Sequence, residues 1–243
     1  MRRRVSRRAP QSATSRTRPA RRRTVRREED RPKDAVGAGG RRPAAALEIL
    51  DISRPIGDAT KPWPGDVGFS FRTTSSLAGG DPWESTAFSM SSHLGTHADA
   101  PSHVLPGGKA IGAMSLQPYL GPARVVELSG EGEIGPDSLP PRAIGVPRVL
   151  FRTKGKVFLS PLAAVRLIEK GVILVGTDAI SIDPADAYDV PVHRTLLSRG
   201  VALLEGLHLA HVEPGDYGLV AVPLAFELLD SSPVRAVLIR QTG

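Results

Sequence analysis

From residue 47 onward, apolar residues fall in short runs, four to six positions long, separated by glycines and prolines. The opening run Leu47-Glu48-Ile49-Leu50-Asp51-Ile52 largely alternates apolar with acidic positions and predicts a strand, since alternate side chains of an extended chain share a face. Further runs at 123–128, 149–152, 172–175, 201–204, 218–223 and 236–239 predict strands too. Helices are fewer. Ser160 followed by Pro161 reads as an N-cap and first helical residue, and Gly171 stops that helix directly before the apolar run at 172–175. A second helix is predicted over 191–199, with Gly200 as its stop and the run at 201–204 following. This repeated unit of helix, glycine and strand predicts an α/β core with helices laid against a sheet.

The first 46 residues read differently. Residues 1–42 hold sixteen basic and four acidic residues, a net charge of +12, whereas residues 43–243 hold sixteen basic and twenty-one acidic ones, a net charge of −5. The overall +7 therefore belongs to a tail. That tail has no Leu, Ile, Phe, Tyr or Trp, so it buries too little apolar surface to offset the entropy of ordering and is expected to be a disordered Arg-rich extension and linker over 1–46. Its arginines could neutralise phosphates, but no interleaved aromatic residues or recognition motif follow, so specific nucleic-acid binding is not expected. It lacks the apolar stretch of a secretory signal and reads as a dispensable extension or an over-long translated start. Residues 47–243 are expected to form one domain with its own core. No run approaches a membrane span, and the body reads as a soluble, cytoplasmic protein. The chain has no cysteine, which excludes disulfide scaffolding and thiolate chemistry, so any metal must be held by histidines and carboxylates.

Three of the six histidines fall within eleven residues, in His93-Leu94-Gly95-Thr96-His97-Ala98-Asp99-Ala100-Pro101-Ser102-His103. Gly95, Thr96 and Pro101 argue against a helix that would pair His93 with His97 one turn apart. In an extended chain His93, His97 and Asp99 project to one side, with His103 alongside if the chain stays extended past Pro101. Gly95 then leaves space between the two rings. Two imidazoles and a carboxylate on one face suit zinc, manganese or a similar divalent ion. The competing reading is a set of surface histidines in a turn-rich segment.

One strand rarely closes a coordination shell, so a second half-site is needed. His193 lies at the start of the second predicted helix, and Glu205 ends the strand that follows it. The carboxylate of Glu205, behind four apolar residues, requires a compensating cation. Taken alone, His193 reads equally well as a solvated helix-start residue. His208 and His211 read as solvated loop residues.

The eleven-residue segment resembles the HxGTHxDxPxH motif of the metal-dependent cyclase family, which includes bacterial kynurenine formamidases (arylformamidases) and isatin hydrolases. The resemblance extends from Ile49 to Arg240. It is supported by Trp63-Pro64-Gly65-Asp66, Tyr119-Leu120-Gly121-Pro122, Gly176-Thr177-Asp178, Ser181-Ile182-Asp183-Pro184 and Leu204-Glu205-Gly206-Leu207. Pro214-Gly215-Asp216-Tyr217 and the stretch 230–238 look most like the formamidase branch. The resemblance implies a compact barrel-like α/β domain of the swivelling β/β/α type, homodimeric or larger. It implies that His93, His97 and Asp99 hold one metal, that Asp99 also reaches a second, and that His193 and Glu205 complete that second site, with two Zn2+ or Mn2+ as the ions. It further makes His103 the acid/base residue and Trp63 a wall of an aryl pocket. The basic tail has no counterpart in the family pattern.

The activity so implied is hydrolysis of a small aromatic amide, N-formyl-L-kynurenine, to L-kynurenine and formate. A metal-activated hydroxide would attack the formyl carbon and His103 would protonate the departing amine. The alternatives are hydrolysis of an isatin-type cyclic amide, a cyclisation or dehydration in secondary metabolism, or, outside enzymes, binding of nucleic acid or an acidic surface through the tail.

Overall fold

The computed structural model describes residues 46–242, and the expectations for the basic tail lie outside them. In chain order the strands are β1 (Ala46–Asp51), β2 (Ser70–Ser75), β3 (Ser85–Ser89), β4 (His97–Asp99), β5 (Leu120–Glu127), β6 (Gly132–Ile134), β7 (Arg148–Arg152) and β8 (Val157–Leu159). After helix α1 (Pro161–Glu169) come β9 (Leu174–Thr177), helix α2 (Pro191–Leu197), β10 (Ala202–Glu205), β11 (Gly215–Val220), β12 (Ser231–Pro233) and β13 (Val237–Thr242). Nine strands form the main sheet in the order β1-β13-β11-β5-β7-β9-β10-β4-β12. Its middle, β5 to β10, is parallel, and its flanks are antiparallel.

The apolar runs are continuous because the central strands are covered on both faces. In β7, Leu150 points into one core while Val149 and Phe151 point into another. In β10, Ala202 and Leu204 share the first core and Leu203 belongs to the second. The second core lies under α1 and α2, through Ala163, Ala164, Leu167, Val192, Leu196 and Leu197. The first gathers Ala98 from β4, Leu204 from β10, Val125 from β5 and Leu238 from β13, so opposite ends of the sheet meet across one interior. The sheet is therefore curled, and the expected α/β, barrel-like architecture holds. Among the described residues no helix is long and apolar enough to cross a membrane.

Helix α1 starts and stops as its sequence predicts. Ser160 Oγ accepts the Ala163 amide at 3.1 Å, Pro161 occupies the first turn, and Gly171 takes φ +80°. The following strand begins two residues later than expected, at Leu174. Val172 still closes the helix through its amide to Leu167 O, and pairing with β7 starts at Leu174.

The histidine segment is not extended throughout. Only His97–Asp99 is strand. The chain turns at Gly95, φ +78°, and Pro101–His103 is a short 3-10 turn. Gly95 thus serves a left-handed turn rather than spacing two rings, and a side chain there would press on Ile56. Across the β4/β10 junction, Gly206 at φ +64° lies so close to Gly95 that a Cβ would run into its carbonyl oxygen. Gly206→Ala is therefore expected to cost about 2–4 kcal/mol, from overpacking and left-handed strain together. Thermal denaturation should show a drop in Tm of roughly 5–10 °C.

Candidate functional site

Strand β4 lies between β10 and β12, with His97 opposite Glu205 and Asp99 opposite Leu203 and Ser231. Because His97 and Asp99 are two apart, both side chains leave the same face, and the cross-strand partner Glu205 joins them. The turn at Gly95 brings His93 back to that point. Helix α2 delivers His193. All five predicted ligands converge, and four are essentially buried: His97, Asp99, His193 and Glu205 are 0–3% exposed. The burial of His193 rules out the solvated reading, whereas His208 and His211 are exposed as expected.

Asp99 is the hub. Its Oδ1 lies 3.1 Å from His93 Nδ1 and 3.4 Å from His97 Nε2, and its Oδ2 lies 3.5 Å from His193 Nε2. Glu205 Oε1 is 3.2 Å from His193 Nε2 and Oε2 is 3.5 Å from His97 Nε2. His93, His97 and Asp99 form one tight group and Asp99, His193 and Glu205 another, each with its ligand atoms within 4.8 Å of one another. These atoms approach without hydrogen-bond alignment: both Asp99 oxygens and His97 Nε2 are buried and lack a hydrogen-bond partner. Buried donor atoms left without partners, in a set of three imidazoles and two carboxylates, are a donor set suited to a divalent cation.

Outer partners set which ring nitrogen faces the centre. His97 Nδ1 lies 3.1 Å from Gly95 O, so its N–H donates there and Nε2 is left free. His193 Nδ1 donates to Asp183 Oδ2 at 2.7 Å. The same carboxylate accepts the amides of Val192 and His193 at 2.9 and 3.0 Å, so Asp183 supplies the cap that Val190, φ +42°, does not give α2. Sequence reasoning did not single out Asp183 as a site residue; its only signal was the motif Ser181-Ile182-Asp183-Pro184. Asp183→Asn is expected to weaken uptake of an added divalent ion, with Zn2+ as the probe, by about 10- to 100-fold, which competition titration with a chromophoric chelator will measure.

Charge follows geometry. Burial pushes the His93 imidazole down, but Asp99 and Asp230 overcome it and lift it to about 9. Burial likewise opposes protonation of His97 and His193, and the neighbouring carboxylates reverse the sign and raise both. For Asp99 and Glu205, burial favours the neutral acid, yet the surrounding imidazoles hold both below the usual carboxylate range. The two buried carboxylates thus stay ionised and require positive charge beside them, as imidazolium protons or as metal ions in their place.

The centre opens into a cavity of about 1490 Å3 whose wall includes Trp63, His93, His97, His103, His193 and Glu205. His103 stands on its 3-10 turn with Nδ1 3.1 Å from Asp230 Oδ2. Its ring centroid is 4.3 Å from that of His93 and 5.7 Å from that of His193. Trp63 sits on a turn closed by the Asp66 amide to Trp63 O, and Asp66 Oδ2 accepts the Ser91 hydroxyl at 2.9 Å, tying this turn to the histidine segment. Trp63 and Arg54 also line an adjoining cavity of about 830 Å3. Asp230 was missed as a site residue, its place in the motif-like stretch 230–238 being the sole indication.

Residues 50–184 match the sequence model of a family described as "Putative cyclase". The kynurenine formamidase of Polaromonas naphthalenivorans is 39% identical over 205 residues, 80% of this chain and 92% of that protein. A solved structure described as a predicted metal-dependent hydrolase from Bacillus stearothermophilus superposes with a TM-score of 0.68 at 29% identity, covering 80% of this chain and 99% of the other. Isatin hydrolase A from Labrenzia aggregata has the same fold, with a TM-score of 0.70 at 23% identity over 81% of this chain and 94% of its own.

Proposed function

The chain belongs to the cyclase family and is a hydrolase, and from that premise we propose that it cleaves an aryl formamide, N-formyl-L-kynurenine, to L-kynurenine and formate. The observation that carries this reading is the pair of ligand groups sharing Asp99, with His103 beside them on the cavity wall. The identity to kynurenine formamidase over nearly that protein's whole length supports the choice of substrate.

His93, His97 and Asp99 would hold one ion and Asp99, His193 and Glu205 the other, with Zn2+ or Mn2+ suited to these donors. Divalent ions bound there supply Lewis acidity, lowering the pKa of water to near neutrality and polarising a carbonyl. The protein's own part is placement and proton handling. His103 holds a proton at the cavity wall for the aryl amine, which leaves poorly as an anion. Trp63 offers an aromatic face at the rim on which the substrate ring can stack, fixing the formyl group over the centre. The homodimeric or larger assembly that the family pattern implies is supported by the exposed Phe71, Phe88 and Trp83 of the β2–β3 hairpin region.

The competing reading is hydrolysis of an isatin-type cyclic amide. Side-by-side rates on N-formylkynurenine and isatin test it. The expected result is kcat/KM higher by about tenfold or more on the formamide. A preference for isatin would replace the formamidase reading.

A further inference from the structure

Asp230 makes contacts of a different kind from those of Asp99. A single oxygen, Oδ2, lies 3.1 Å from His93 Nε2 and 3.1 Å from His103 Nδ1, and both contacts have hydrogen-bond alignment. The carboxylate is also anchored. The Asp230 carbonyl accepts the Ala100 amide at 2.8 Å, the next residue, Ser231, pairs with Asp99 across β12 and β4, and Ser231 Oγ bonds Ser92 Oγ at 2.6 Å. Asp230 is therefore fixed to the strand that carries two of the ligands and to the residue before His93. His103 Nε2 makes no hydrogen bond among the described residues.

The geometry points to Asp230 as a positioning residue that sets both rings at once. By accepting Nε2–H of His93 it turns Nδ1 of that ring to the metal-ligand group, and by accepting Nδ1–H of His103 it leaves Nε2 to exchange protons with substrate. This inference rests on the formamidase reading for its chemistry, though not for its geometry. In the hydrolysis the C–N bond breaks as water oxygen bonds the formyl carbon. The amine nitrogen takes a proton from His103 Nε2, the consumed water restores that proton, and formate and the arylamine leave. Throughout, Nδ1–H stays on Asp230.

The test compares Asp230→Ala and Asp230→Asn with wild type, all at saturating zinc, on a formanilide and on the matching aryl formate ester. The phenolate of the ester departs without a proton, so it reports on the metal centre alone. For Asp230→Ala the expected loss is about 10²- to 10³-fold in kcat on the formanilide and under about tenfold on the ester, because only the amide needs a correctly oriented acid. Asp230→Asn, which retains an oxygen acceptor, should fall between and also covers the case in which the alanine variant does not fold. Zinc affinity should weaken by about 10- to 100-fold through His93.

Long-range 1H–15N spectra of histidine-labelled, zinc-loaded wild type at alkaline pH should show His103 protonated on Nδ1 and bare on Nε2. Equal losses on amide and ester, no loss on either, or a His103 ring bare on Nδ1, as when an ion rather than a hydrogen bond joins His93, His103 and Asp230, would each overturn the assignment. Should wild type fail to cleave formanilides at all, the formamidase reading falls while the spectra still decide the role of Asp230.

Discussion

Asp99→Asn is expected to lower hydrolysis of N-formylkynurenine by on the order of 10³-fold or more and to remove most bound metal, measured as kcat together with metal per protomer. Among the described residues Asp99 alone joins the His93–His97 group to the His193–Glu205 group, whereas His93 links the former to a third group with His103 and Asp230, and both Asp99 oxygens are buried without a hydrogen-bond partner. The amide variant keeps the volume and loses the charge, so a folded protein with an emptied centre is the expected product. Exhaustive chelation of the wild type should reproduce the activity loss, and full activity after chelation would defeat the metal mechanism.

Chelation also carries a pH signature. With no cation beside them, Asp99 and Asp230 outweigh burial and lift the His93 imidazole from 6.5 to about 9. A folded-state pKa raised in this way contributes stability that is fully present below about 6.5 and is lost as pH rises through about 9. The Tm gap between zinc-loaded and chelated protein should therefore widen across that window, and metal uptake should release protons.

His103→Gln should lower kcat by about 10²- to 10⁴-fold while leaving metal content and Tm close to wild type. His103 belongs to neither group that shares Asp99, and its side chain is 30% exposed on a short turn, so little packing depends on it. Set beside Asp99→Asn, it separates the two functions of the cavity: one variant loses metal and catalysis together, the other loses catalysis alone. Loss of metal in His103→Gln would instead place this ring in the coordination shell.

The parts of the fold legible in the sequence are those decided locally. Strands buried on both faces are written as apolar runs, and α1 is bounded by Ser160, Pro161 and Gly171, each acting within a few positions. Glu205 was legible for a related reason, since an acid closing an apolar run demands a partner. The path of the histidine segment was not, because β4 is only three residues long and the turn at Gly95 is fixed by Ile56 and Gly206, far along the chain. Asp230 was out of reach of any local pattern: it meets His93 and His103 across 137 and 127 positions, through the pairing of β12 with β4. Asp183 lies only ten residues before His193, but an aspartate capping a helix across a loop leaves no regular spacing to read.

That cap makes α2 an internal gauge of the candidate metal site. The carboxylate that orients the His193 ring also accepts the first amides of the helix, so a change in the electron demand on the imidazole is felt by two backbone hydrogens. Amide exchange at Val192 and His193 should slow when the centre is loaded and quicken when it is stripped. Occupancy can then be followed with no substrate present, from protons that never touch the ion.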